Sequence, residues 1–291
     1  MKIVYYMFVL GEKVVSALPI GLTRAVARAC GVVYFYVFPR KRRLVLRNMR
    51  RVLGPDATSA AVKRAACRAC RSYADYWVDV IWLPTRTRDY VLERFDTINV
   101  TALEEVMAGG KGAIFVLPHY GSWEVGAVYV SSLGPLVAVA EALKPPELFD
   151  MFCRLRADVG VEIFPYDRRS ETRDKLVEVL KKGAAIALLC DRDLKGSGVP
   201  VEFFGEQTTL PPGPAVLAMR SGSPIFCAAV RNLKGNRWSG RVLDPIYVDG
   251  SGDREEIVQA TMQQIAGNLE VLIREDPTQW HMFMPAWPSD R

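Results

Sequence analysis

The spacing of apolar positions changes character near residue 85. Before it, three short apolar runs, Ile3–Leu10, Val14–Leu22 and Gly31–Phe38, alternate with basic residues. They are followed by two stretches with helical periodicity, Arg42–Leu53 and Ser59–Ile81, the second ending in a tryptophan-rich segment (Trp77, Trp82) ahead of Pro84. Beyond it, short apolar blocks alternate with helical patterns. Strands are predicted at Arg94–Val100, Gly112–Leu117, Leu136–Ala140, Val161–Ile163 and Ala184–Cys190, with helices at Ala102–Ala108, Trp123–Ser132, Pro146–Asp158 and Arg173–Lys182. The Gly112–Leu117 block is continuously apolar, as in a strand buried on both faces. Val201–Phe203, a helix over Pro214–Ser221, strands Ile225–Arg231 and Ser239–Val248, and a closing helix Arg254–Glu275 complete the pattern.

Strands separated by helices require crossover connections, so the expected fold class is α/β: a mostly parallel central sheet flanked by helices. The expected organisation is a basic, amphipathic helical N-terminal layer over residues 1–84 and an α/β core over 85–291, together forming one continuous domain.

Charge sharpens the picture of that layer. The chain of 291 residues carries a net charge of +6, yet residues 1–51 hold eleven Lys/Arg against the single acid Glu12, about +10, leaving the remainder near −4. Lys2, Glu12, Lys13, Arg24 and Arg28 cut the apolar runs below the roughly 18 uninterrupted residues that a spanning helix needs. The expectation is therefore of helices lying in an interface. Arg40, Lys41, Arg42, Arg43 and Arg47 follow the aromatic segment directly, where each cation gains on the order of 1 kcal/mol near anionic headgroups. An anionic membrane surface is the expected partner. A solvated helix face and a nucleic-acid site are the rival readings, and the second lacks any nucleic-acid motif.

Six dispersed cysteines without a signal-peptide pattern fit free thiols in a reducing compartment. Cys67 and Cys70 form a CxxC, but with no second pair and few histidines it reads as the small-residue face of a helix. No metal and no cofactor are expected.

The segment Leu117-Pro118-His119-Tyr120-Gly121-Ser122-Trp123-Glu124 directly follows the buried strand, and ligands of open α/β sheets collect beyond strand carboxyl ends. The chain has two histidines, His119 and His281. An imidazole with a nearby carboxylate can act as a base with an orienting partner. Five helical residues turn about 500°, so His119 must precede the helix for the two groups to converge.

H-x-x-x-x-E after a buried strand resembles the motif of the glycerolipid acyltransferase superfamily, specifically its lipid A late acyltransferases and phosphatidylinositol mannoside acyltransferases. The resemblance continues in order through Asn48-Met49-Arg50-Arg51, Arg154 and Arg156, Leu180 to Gly183, Asp191-Arg192-Asp193, Val199 to Gly205, and Leu210 to Ala215, covering nearly the whole chain. It implies transfer of a fatty acyl group from acyl-CoA or acyl-carrier protein to a glycolipid hydroxyl at the cytoplasmic face of the membrane. His119 would be the general base and Glu124 its orienting partner, while Asp191 would either orient His119 or hold the acceptor. Arg154, with Arg156 and Arg192 as alternatives, would bind substrate, and Phe203, Phe204 and Gly205 would shape the acyl groove. The D-R-D-L and L-P-P-G-P-A strings look closer to the mannoside branch; lipid A remains the close alternative, and an inactive lipid-binding scaffold the alternative of another class. His281 reads as part of a packed C-terminal element.

Overall fold

A computed structural model of the protein describes residues 11–290 apart from 14, 16, 141–145, 158–159, 166–169 and 194–195. The first apolar run, Ile3–Leu10, lies outside the described residues. The chain forms helices α1 (Ile20–Val37), α2 (Pro39–Leu53), α3 (Ser59–Trp82) and α4 (Arg88–Leu92) before strand β1 (Phe95–Ile98). There follow α5 (Thr101–Ala108), β2 (Ala113–Leu117), α6 (Trp123–Leu133), β3 (Leu136–Ala140), α7 (Pro146–Ala157), β4 (Val161–Pro165), α8 (Ser170–Lys181) and β5 (Ala185–Leu189). The rest is a hairpin β6 (Val199–Phe203) and β7 (Glu206–Leu210), α9 (Gly213–Ser221), β8 (Ile225–Asn232), β9 (Trp238–Val242) and α10 (Arg254–Glu275).

Seven strands form one sheet in the order β1-β9-β8-β2-β5-β3-β4. All neighbours are parallel except β8 and β9, which a short turn joins as an antiparallel pair. The α/β expectation holds. Central strand β2 is buried along Ala113–Val116 because it is covered on both faces, which is why its sequence is continuously apolar rather than alternating.

Three local departures have physical causes. The strand expected over Ser239–Val248 stops at Val242, where Asp244 and Pro245 interrupt pairing; Ile246 resumes only a single bridge to Ile225. Val201–Phe203 is one arm of a hairpin whose turn, Phe204 and Gly205, has φ of 52° and 75°. Glycine suits that left-handed turn whereas phenylalanine does not, so the hairpin signal was weak. Finally, Arg24 and Arg28 do not end a helix: the last residues of the Val14–Leu22 run, from Ile20, and the Gly31–Val37 run belong to one helix, α1, which is long and apolar enough by length and composition to cross a membrane.

The orientation of α1 explains how charges fit within it. Arg24 and Arg28 turn inward onto α3, where Arg24 meets Asp79 at 2.5 Å and Arg28 meets Asp75 at 2.7 Å. Gly31 permits the close approach, since a Cβ there would lie 2.6 Å from the Cys70 carbonyl oxygen. Leu22, Val26, Val33, Tyr36 and Val37 are consequently left on the outside. The usual polarity of a surface helix is thus inverted. A single buried cluster runs from Phe35, Met49 and Val62 in the N-terminal helices through Ile114 and Ile186 of the sheet to Leu269 of α10.

Candidate active site

The loops after β2 and β5 meet because those strands are parallel neighbours, with Leu117 opposite Leu189. Both strands end on the same edge of the sheet, so His119 and Asp191 converge from positions 72 residues apart. The His119 imidazole Nδ1 lies 2.5 Å from Asp191 Oδ1, and the His119 backbone N–H donates to Oδ2 at 3.0 Å. The indole of Trp280 donates to the same oxygen at 2.9 Å. Asp191 is fully buried. Burial raises its pKa, but the positive charge and hydrogen bond of His119, then Arg192 and Trp280, outweigh burial and hold the carboxyl at about 2. An ionised carboxylate on Nδ1 fixes the proton there and leaves Nε2 as the basic atom.

The loop that carries His119 is held on both sides. Gly121 N–H donates to the Gln279 carbonyl at 2.9 Å, and His281 N–H donates to the His119 carbonyl at 2.7 Å. Gly121 has φ of 53°, and a Cβ would fall 1.9 Å from the Val230 carbonyl oxygen, so only glycine fits this passage. Ser122 donates its hydroxyl to Asp79, which also receives Arg24. Helix α1 and the His119 loop therefore share one buried carboxylate.

Glu124 takes a different partner from the one expected. Helix α6 starts at Trp123, with His119 in the preceding loop, but the Glu124 carboxylate accepts from Arg156 Nη2 at 2.8 Å and from the Tyr76 hydroxyl at 3.4 Å. The carboxylate that meets the His119 ring is that of Asp191. Burial lowers the Arg156 pKa, but the facing Glu124 carboxylate more than reverses this, so the guanidinium stays charged. Arg154 lies outside the site, exposed and 3.6 Å from Glu12. Two helical residues differ by about 200°, so α7 can present only one of Arg154 and Arg156 to Glu124. Arg192 adjoins the dyad and rests its guanidinium on Met284 sulfur at 3.2 Å.

Phe203, Phe204 and Gly205, expected to shape an acyl groove, pack elsewhere than the apolar cavity beside α6. Phe203 stacks on Trp287 with ring centroids 5.7 Å apart, Phe204 packs on Trp280, and exposed Gly205 completes the hairpin turn. The apolar cavity is instead on the α6 side of the sheet, with a volume of about 130 Å³. Trp123, Glu124 and Arg156 form its polar end; Leu117, Ala138, Ala187 and Leu189 line the sheet side, and Phe95 and Val242 lie toward the β1–β9 edge. The basic residues also separate. Lys41 donates to the Phe283 carbonyl at 3.0 Å, Arg47 to the Ser289 carbonyl at 3.1 Å, and Arg42 faces a concavity between α2 and α3, whereas Arg40 and Arg43 are exposed. One helical turn distributes consecutive side chains around the whole axis, so such a run cannot form a single face.

His281 is the site neighbour that sequence reasoning placed in an ordinary packed element. It is buried among Tyr73, Tyr76 and Trp123, with Nε2 3.0 Å from Ser72 Oγ. Burial first, then the charge of His119, push its pKa down to about 3, so the ring is neutral. Its being one of two histidines was the available signal. The six cysteines are free. Burial pushes the Cys190 thiol far up and Cys70 and Cys227 to about 12, which leaves none of these three as a nucleophile near neutrality. Among the described residues no cluster of His, Cys, Asp or Glu could hold a metal ion.

Residues 1–289 match the family described as bacterial lipid A biosynthesis acyltransferase. A phosphatidylinositol mannoside acyltransferase of Mycolicibacterium smegmatis is 36% identical over 247 residues, covering 84% of this chain and 79% of the relative. One from Mycobacterium tuberculosis is 34% identical over 252 residues, covering 84% and 76%. The similarity spans the helical N-terminal layer as well as the sheet, and the chain belongs to the bacterial lipid A biosynthesis acyltransferase family.

Proposed function

We propose that this acyltransferase works at a membrane surface, moving a fatty acyl group from a thioester donor to a mannose hydroxyl of a phosphatidylinositol mannoside. The observation that carries the reading is the His119–Asp191 pair at adjacent strand ends, a few residues from an apolar cavity whose polar end is Trp123, Glu124 and Arg156. In the proposed reaction, Nε2 of His119 takes the proton as the acceptor oxygen attacks the thioester carbonyl. Asp191 stabilises the resulting imidazolium. Collapse of the tetrahedral intermediate forms the ester and breaks the carbon–sulfur bond, and the imidazolium returns the proton to the departing thiolate. The balance is alcohol plus thioester to ester plus thiol, with no protein nucleophile and no metal required.

The apolar cavity under α6, of about 130 Å³, would receive one part of the acyl chain. The mannoside acceptor is supported by the names of the relatives, and the family description supports a lipid A acceptor as the second reading. The outward apolar face of α1, which includes Leu22, Val26 and Val33, supports contact with lipid. Thiol release from palmitoyl-CoA tests the reading directly. Release that depends on phosphatidylinositol mannoside and is lost in His119→Ala is expected. Release that needs a lipid A precursor instead would overturn the acceptor assignment, and full activity in His119→Ala would overturn the base.

A further inference from the structure

A second concavity, of about 820 Å³, lies between α2 and the first turns of α3. Its floor is apolar, from Phe35, Leu46 and Val62, whereas Arg42, Arg47, Arg50, Arg51 and Lys63 supply most of its rim, with the Glu206 carboxylate and Ser289 on the Arg51 side. These cations have unequal partners. Arg51 is neutralised by Glu206 at 2.9 Å and Asp290 at 2.9 Å and lies over the Trp287 ring, while Arg47 has Asp290 at 4.0 Å. Arg50 donates to the backbone carbonyl of Ala57, which offsets no charge. Among the described residues neither Arg42 nor Lys63 meets a carboxylate.

Arg42 and Arg50 stand two turns apart on one stripe of α2, and Lys63 faces them from α3. The first turn of α3 adds to the same field: it contributes Ser59 to the concavity, carries no acidic residue, and presents the positive end of a 24-residue helix. Three uncompensated cations and a helix N-terminus around an apolar floor form a receptor for an anion attached to an organic body.

We infer that this concavity is a binding site for an organic phosphate, with Arg42, Arg50 and Lys63 holding the phosphate oxygens and Phe35, Leu46 and Val62 receiving the attached group. Its position connects it to the dyad. Lys63 and Ser72 are nine residues apart on α3, about 14 Å along the axis, and Ser72 contacts His281, whose backbone bonds to that of His119. Under the acyl-transfer reading, the phosphate belongs either to the thioester carrier or to the acceptor lipid headgroup.

The test measures binding without turnover. Coenzyme A and 3′-dephospho-coenzyme A are titrated calorimetrically, and neutral phosphatidylcholine vesicles with or without phosphatidylinositol are used in sedimentation. Wild type is compared with Arg42→Gln/Lys63→Gln and with Arg40→Gln/Arg43→Gln, which removes the same charge from the exposed part of α2. A gap of about tenfold or more between the two coenzymes that closes only in the first variant assigns the site to the carrier phosphate. Equal coenzyme binding, with phosphatidylinositol-dependent sedimentation reduced about tenfold more in the first variant than in the second, assigns it to the lipid. Indistinguishable behaviour of the two variants in both assays, absence of binding included, overturns the proposal. None of these outcomes depends on acyl transfer, which thiol release judges separately.

Discussion

The sharpest consequence of the site geometry concerns Asp191→Asn, a nearly isosteric change. Asp191 Oδ2 accepts from the His119 backbone N–H and from Trp280, at 3.0 and 2.9 Å, so the asparagine oxygen must occupy that position to keep both bonds. Its amide NH₂ then faces Nδ1 of His119, which must accept rather than donate. The imidazole proton moves to Nε2, the atom that is to receive the acceptor's proton. A wrong-tautomer defect of this kind costs about 10⁴ in kcat where it has been isolated in a serine protease, and a loss of about 10³–10⁴ is expected here. The charge lost from the pair also matters for stability. With its pKa held at about 2 against an ordinary 3.8, Asp191 contributes on the order of 2 kcal/mol. That contribution is whole above about pH 4 and is lost as pH falls through about 2. The assay is the initial rate of thiol release with acceptor present, alongside a urea-unfolding midpoint. Activity within tenfold of wild type in a folded Asp191→Asn protein would refute the assigned tautomer and with it the role of Asp191.

Other residues give separable outcomes. Arg156→Met should destabilise by about 3–5 kcal/mol because it leaves the buried Glu124 carboxylate without its cation, and the double variant Glu124→Gln/Arg156→Met should recover part of the loss in a double-mutant cycle of unfolding midpoints. His281 is held neutral with a pKa of about 3, so its contribution to stability is whole above about pH 6.5 and declines as pH falls toward 3; His281→Gln should flatten the urea midpoint against pH between 6.5 and 4. Ala138→Phe projects into the apolar cavity and should shift donor preference from palmitoyl-CoA toward shorter acyl-CoA substrates, read as a ratio of kcat/KM values.

The α/β architecture was legible because β2 and β5 are continuous apolar runs between helical patterns, and that periodicity survives without any knowledge of tertiary contacts. His119 was legible for the same reason: it directly follows the strand β2. Its carboxylate partner was not fixed by local spacing. Glu124 is five residues away, but α6 begins at Trp123 and carries that side chain toward Arg156, whereas Asp191 is delivered by the parallel pairing of β2 with β5. Pairings between strands lie in the topology rather than in any short window. The same applies to Arg154 and Arg156, which are equivalent in composition and separated only by helical phase. The hairpin at Phe204 was obscured by a bulky residue at positive φ, a choice that Trp280 packing and the hydrogen bond from Phe204 N–H to Glu270 at 2.5 Å accompany. The continuity of α1 was hidden because Arg24 and Arg28 look like interruptions until Asp75 and Asp79, more than forty residues later, neutralise them.

Under the proposed function, His119 directs an acyl group onto a glycolipid hydroxyl. Mass spectrometry of the lipid product after incubation with palmitoyl-CoA and phosphatidylinositol mannoside tests it most directly. The expected product is an acceptor heavier by one palmitoyl group, esterified on mannose, formed by wild type and not by folded His119→Ala. An unmodified acceptor despite thiol release, or the same ester formed undiminished by His119→Ala, would contradict it.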